Sequence, residues 1–252
     1  MMLTHAILRK PGSNMSQGIT TMDLGTPDYT LALQQHAAYA DALRAAGLRL
    51  TILEADLRYP DCTFVEDTAV LTERCAVITK PGDLARQGEE TEIAKLLAKV
   101  RLLERIQSPG TVDGGDILRV ENHFYIGRSH RTNTEGARQF AAILSKHGYT
   151  ASEIPVQTVL HLKTGITYIG KNTVLAIDEF KEHHAFRKFT TIAVASEDYA
   201  ANCLVINDTL LTPTGFPRTK KKLQSLGYNI LEVPMSEFQK MEGGLTCLSL
   251  LY

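Results

Sequence analysis

Residues able to do chemistry are concentrated in a few short stretches of this 252-residue chain. Near its C-terminal end, Met241-Glu242-Gly243-Gly244-Leu245-Thr246-Cys247-Leu248-Ser249-Leu250 sets a single cysteine between a glycine pair and an apolar run. Paired glycines free the backbone for steep turns and for close approach of a ligand. The alternation after them predicts a short buried strand. Cys247 would stand at its start, a position from which a nucleophile can be presented. The same thiol would also serve as a small core hydrophobe, so its role depends on partners elsewhere in the chain.

Those partners recur where hairpins are predicted to begin. They are Asp61 with Glu66-Asp67, then Asp113-Gly114-Gly115-Asp116, then His161-Leu162-Lys163-Thr164-Gly165. Asp67 interrupts a stretch read as an apolar strand, where an unpaired charge is costly; a turn or cap carboxylate is the alternative. His161, standing alone, would fit a satisfied core histidine. Taken together, a thiol, an imidazole that titrates and acids that orient it are the parts of nucleophilic catalysis. Cys62, Cys75, Cys203 and Cys247 are widely spread, with no CxxC and no metal-ligand spacing. Reduced thiols, a cytoplasmic setting and no metal are expected.

The elements that must position these groups follow a repeating order. After a first strand at His5-Ala6-Ile7-Leu8, a long polar loop runs to Asp28; loops of this length tend to be lids or binding loops. Apolar spacing predicts a helix over 29–46, stopped by Gly47, and a strand over 48–53. Hairpins are predicted at 64–79, 114–126, 167–176 and 202–211, with helices over 91–100, 133–147 and 219–226. Residues 229–233 and 245–250 would complete a fifth unit with the N-terminal strand. Units that each expose an apolar face must stack to bury it. The expectation is an α/β fold, a fivefold pseudosymmetric propeller of hairpin-helix-strand modules, as one domain over 1–252. A doubly wound sheet would show single strands between helices, whereas here hairpins recur.

Composition narrows the partners. A hydrophobic share of 44% allows a sizeable core. A net charge of −1 with scattered Lys and Arg offers no footprint for nucleic acid or an anionic membrane. No stretch approaches the ~20 apolar residues of a membrane span, and the first ten residues lack the basic-then-apolar pattern of a leader.

The ordered set Phe64-Val65-Glu66-Asp67, Thr111-Val112-Asp113-Gly114-Gly115-Asp116, His161-Leu162-Lys163-Thr164-Gly165, Ala200-Ala201-Asn202-Cys203 and Gly243-Gly244-Leu245-Thr246-Cys247 resembles the dimethylarginine dimethylaminohydrolases. These belong to the guanidine-modifying superfamily (penteins), with arginine deiminase and the amidinotransferases. The resemblance runs from Ile7 to Leu250. It implies a small-molecule substrate, a methylated arginine, hydrolysed without a cofactor, and leaves room for a homodimer. It implies Cys247 as nucleophile, His161 as acid and then base, and Asp67 and Asp113 as the carboxylates that hold a guanidinium. By the same resemblance Glu66 and Asp61 are neighbouring binding positions, Arg86 and Arg131 meet the α-carboxylate, and Ile19 and Met241 touch the substrate through the backbone. Some bacterial relatives carry Glu where Asp113 stands. Arginine deiminase, another guanidine hydrolase, an amidinotransferase and a non-catalytic propeller are the competing functions. The deiminases usually carry a helical insert for which this chain has no room, and the transferases are longer.

Overall fold

The computed structural model describes residues 2–252, and Met1 lies outside the described residues. In chain order come β1 (His5–Arg9), α1 (Tyr29–Ala45), β2 (Arg49–Leu53), β3 (Ala69–Leu71), β4 (Ala76–Ile78), α2 (Glu90–Leu97) and β5 (Leu103–Arg105). Next are β6 (Ile117–Val120), β7 (His123–Arg128), α3 (Thr134–Lys146), β8 (Thr150–Pro155), α4 (Leu162–Gly165), β9 (Ile166–Tyr168), β10 (Thr173–Ala176) and β11 (Thr190–Ala193). The last are β12 (Leu204–Ile206), β13 (Thr209–Pro213), α5 (Pro217–Ser225), β14 (Asn229–Val233), α6 (Ser236–Gln239) and β15 (Leu250–Leu251).

Five three-stranded sheets repeat one pattern: an antiparallel pair, then a third strand parallel to the pair's second strand. The parallel strand needs a crossover, supplied by α1, α2, α3 and α5 in four modules and by a single 3₁₀ turn, His184–Phe186, in the module of β9–β11. That module departs from the expected hairpin-helix-strand order. Helix starts follow local chemistry. The Asp28 and Asn133 side chains accept from the backbone N–H groups of Leu31 and Gly136 and cap α1 and α3, and Gly47 and Gly148 follow these helices with positive φ.

One assignment changes. Residues 229–233 pair in parallel with β13, so they complete the β12–β13 module and not the fifth. The fifth is β15–β1–β2, with α1 as its crossover. Parallel pairing is set by a partner outside the local pattern, which explains the misreading.

The chain separates into two compact units: residues 2–64 with 165–251, and residues 65–164 with Tyr252. The first holds the sheets of β15–β1–β2, β9–β11 and β12–β14, and a core in which Tyr39 and Leu43 of α1 meet Phe238, Leu245 and Leu248. The second holds the sheets of β3–β5 and β6–β8, around Phe124, Ile126, Phe140, Leu144 and Tyr149. No helix among the described residues is long and apolar enough to cross a membrane.

Candidate active site

Each module's first strand is preceded by one tight helical turn. These turns are Val65–Thr68, Gly114–Asp116, Leu162–Gly165, Asp198–Ala201 and Thr246–Leu248. Glu66, Asp67, Asp113, His161 and Cys247 sit on or beside them, so two expectations are corrected. Asp67 lies on a turn and not within a strand, and Cys247 lies on a turn, with only Leu250–Leu251 in the strand that follows. Side chains hold these turns against strand formation. Thr68 Oγ1 donates to the Val65 carbonyl at 2.6 Å, and the Thr246 N–H donates to Asn202 Oδ1 at 3.0 Å.

In the unit of residues 65–164, Asp67, Arg86, Asp113 and His161 are buried together. Asp67 accepts from the Gly115 N–H at 2.9 Å and from Arg86 Nη1 at 2.6 Å. Asp113 Oδ1 accepts from the Gly82 N–H at 2.7 Å, and its Oδ2 lies 3.0 Å from His161 Nε2. The imidazole lies against Gly115, where a Cβ would stand 2.6 Å from Nδ1, so that turn must carry glycine. Burial disfavours the charged form of His161, but Asp67, Asp113 and Asp116 outweigh it and push its pKa up to about 9. Burial likewise opposes ionisation of Asp67, and the charges of His161 and Arg86 overcome it and hold the carboxyl below its ordinary range.

Two expected substrate contacts have protein partners. Glu66 is ion-paired with Lys163. Arg86 binds Glu89 through Nε (3.1 Å) and Nη2 (2.9 Å) as well as Asp67. Arg131 is held more loosely: its Nη1 stands 3.8 Å from Asp83 and 3.9 Å from Asp113, beyond hydrogen-bonding distance. One Arg86 between Asp67 and Glu89 leaves this cluster with negative charge in excess.

Asp116, Lys163 and Glu89 carry structural weight that their sequence positions did not assign to them. Asp116 accepts from Ser129 Oγ (2.6 Å), Thr132 Oγ1 (2.7 Å) and the Leu162 N–H (2.9 Å), which orients the residue before it, His161. The signal available was a charge at the foot of an apolar strand, the same one that marked Asp67.

In the other unit, Asp61 accepts from the Ile19 N–H at 3.1 Å, and Gly18 abuts both Asp61 and Met241. Ile19, Asp61 and Met241 are therefore neighbours despite their separation in sequence. The long first loop is tied down by Thr20 Oγ1 to the Lys240 carbonyl (2.8 Å) and by the Thr21 N–H to Glu242 (2.9 Å). The Cys247 N–H donates to the Gly244 carbonyl at 3.2 Å, and Cys247 Sγ accepts from the Gly244 N–H at 3.3 Å. All four cysteines are thiols. Burial raises the pKa of Cys203 to about 12 and also raises that of Cys75, so neither is a ready nucleophile.

Ligand atoms of Asp67, Asp113 and His161 lie within 4.8 Å of one another, a spacing that could hold a cation. One Asp67 oxygen, however, is already paired with the Arg86 guanidinium at 2.6 Å.

One unit thus holds buried carboxylates around an imidazole, and the other a cysteine on a glycine turn. Residues 58–209 match the family model described as arginine deiminase. The chain is 46% identical over its full length, and over the full length of the relative, to N(G),N(G)-dimethylarginine dimethylaminohydrolase of Pseudomonas aeruginosa. It is 34% identical to the protein of that name from Streptomyces coelicolor, over 97% of this chain and 95% of that one. A solved structure of the Pseudomonas aeruginosa enzyme, a cysteine-to-serine mutant complexed with citrulline, superposes with a TM-score of 0.98 at 45% identity, covering all of both chains. The chain belongs to the dimethylarginine dimethylaminohydrolase family. Its fold is the five-module α/β propeller of that family.

Proposed function

We propose that this protein hydrolyses Nω-methylated arginines, asymmetric dimethylarginine and monomethylarginine, to citrulline and dimethylamine or methylamine. The observation that carries the reading is the buried Asp67–Asp113–His161 cluster, with an imidazole held protonated beside carboxylates and negative charge in excess. Full-length similarity to relatives bearing that name supports it. Residues 1–252 act as one catalytic domain in this reading.

A guanidinium is planar, and its delocalised charge makes the central carbon a poor electrophile. Asp67 and Asp113 hold it and fix its plane. The Cys247 thiolate attacks the central carbon and forms a C–S bond. His161 gives its proton to the methylated nitrogen as the C–N bond breaks and the amine departs. The S-alkylthiouronium left on Cys247 is attacked by a water whose proton passes to the now neutral His161. Collapse of that adduct expels the thiolate, and the remaining hydroxyl proton passes through solvent to the released amine, which leaves the ureido carbonyl of citrulline and an alkylammonium ion. Water is the sole co-reactant, and no cofactor enters.

In this reading Ile19, Asp61, Glu66 and Met241 are substrate-binding positions and Arg86 and Arg131 meet the α-carboxylate, as the resemblance to the family implies. The two arginines should separate in their effects. Arg131→Ala should raise KM for methylated arginine far more than for agmatine, which lacks the carboxylate, with little change in thermal midpoint. Arg86→Ala strands two buried carboxylates, a loss of about 3–5 kcal/mol in stability. Denaturant melts of both variants check this, and equal stability would place Arg86 outside the buried network.

Match to the arginine deiminase family model favours one second reading, in which unmethylated arginine is the substrate. A pocket shaped for methyl groups leaves the extra N–H donors of arginine unpaired, at about 1–3 kcal/mol for a buried donor. Preference for asymmetric dimethylarginine should then be roughly 10- to 100-fold in kcat/KM. The test is kcat/KM for arginine, monomethylarginine, asymmetric and symmetric dimethylarginine and agmatine, with each released amine identified. Arginine as best substrate, releasing ammonia, would make the protein a compact deiminase.

A further inference from the structure

The Gly243–Gly244 peptide lies between two polar groups of its own unit. On one side Tyr199 Oη donates to the Gly243 carbonyl at 2.7 Å. On the other the Gly244 N–H donates to Cys247 Sγ at 3.3 Å. That carbonyl and that N–H belong to one planar, trans peptide and point in opposite directions. A bond that fixes one end therefore aims the other. A donor on the carbonyl also polarises the peptide and strengthens the N–H as a donor in turn.

Surrounding contacts keep the peptide in place. The Gly243 N–H donates to the Phe238 carbonyl at 2.9 Å. Asn202 grips the same turn, accepting from the Thr246 N–H and donating from Nδ2 to Thr246 Oγ1, each at 3.0 Å. Gly244 backs onto the Asn202 carboxamide so closely that a Cβ would come within 2.5 Å of it. The Tyr199 ring packs on Phe216, with centroids 5.7 Å apart, which sets the direction of the phenol. Burial and the charge of Cys247 push the Tyr199 phenol well above its ordinary pKa, so it remains an O–H donor at neutral pH.

We infer that Tyr199 is a positioning residue for the nucleophile: by holding the Gly243 carbonyl it aims the Gly244 N–H at the Cys247 sulfur and favours the thiolate. The inference rests on the reading of Cys247 as nucleophile. Thiolate is the reactive form of cysteine, and a hydrogen bond to the charged form lowers its pKa. Tyr199 itself acts only through the peptide.

The experiment is the pH dependence of Cys247 alkylation by iodoacetamide, read on the Cys247 peptide by mass spectrometry, in the full chain and in Tyr199→Phe. Phenylalanine keeps the ring on Phe216 and removes only the hydroxyl. The alkylation midpoint should rise by roughly 0.5–1 pH unit, about three- to tenfold less thiolate at a given lower pH. At neutral pH kcat should fall by the same factor with KM little changed. Tyr199→Leu, which loses the ring as well, should show the same midpoint shift plus a lower thermal midpoint. A profile unmoved in Tyr199→Phe overturns the inference, as does a shift confined to the leucine variant, since either makes Tyr199 a packing residue only. Alkylation needs no turnover, so it decides the role of Tyr199 separately from the nucleophile assignment. Turnover retained by Cys247→Ser would sink that assignment alone.

Discussion

Replacing Cys247 with serine should abolish turnover while leaving the fold and substrate binding intact. Serine is nearly isosteric, and the Gly244 N–H that meets the sulfur can equally meet a hydroxyl. A hydroxyl is not deprotonated near neutral pH, even beside a bound guanidinium, so the step that forms the covalent adduct is lost. Loss of a covalent nucleophile costs on the order of 10^4-fold or more in kcat. The other cysteines supply the control. Cys203 and Cys75 have thiols whose pKa is raised by burial, and Cys62 is also buried. Serine at any of the three should keep most of the activity, with some stability lost to packing. Acid quench of the wild-type reaction should place a mass adduct on the Cys247 peptide and on no other. Substantial turnover by Cys247→Ser, or an adduct on a different cysteine, would remove the thiol mechanism from this reading.

The repeat itself could be read from the sequence because each of its signals is local. The stop glycine Gly47 and the short apolar runs ending at turns are set by residues a few positions apart. The five turns that lead into the hairpins could not be read in this way. Val65–Thr68 mixes apolar and acidic residues like an edge strand, and what holds Asp67 there is the N–H of Gly115, far along the chain. The parallel partner of residues 229–233 was hidden for the same reason. In the candidate site, Cys247, His161 and the paired acids were legible only as a set, since each alone also fits a core or turn residue. Their partners were not legible: Lys163 on Glu66, Glu89 on Arg86 and Asp116 behind His161 are tertiary contacts that no spacing encodes.

Replacing His161 with glycine should slow both halves of the reaction. With a pKa pushed up to about 9, His161 is an imidazolium at neutral pH and can hand a proton to the departing amine. Having done so it is a neutral base beside Asp113, 3.0 Å away, and can take the proton of the attacking water. Loss of a positioned acid or base typically costs about 10^2- to 10^4-fold. Rapid-quench measurement should therefore show slower adduct formation and slower adduct hydrolysis in the variant. The raised pKa also makes a prediction about stability. Its folded value, about 9, lies above the ordinary 6.5, so the folded state binds the proton more tightly than the unfolded state does. The stabilisation is fully present below pH 6.5 and is lost as the pH rises through 9. Wild-type stability should decline across that window, and the decline should be absent from His161→Gly, whose Asp67 and Asp113 lack the imidazolium at every pH. Denaturant unfolding at pH 6, 8 and 9.5 measures the window. Adduct formation at the wild-type rate in His161→Gly would mean that another group protonates the leaving amine, and an unchanged stability profile would mean that His161 is not held as the imidazolium.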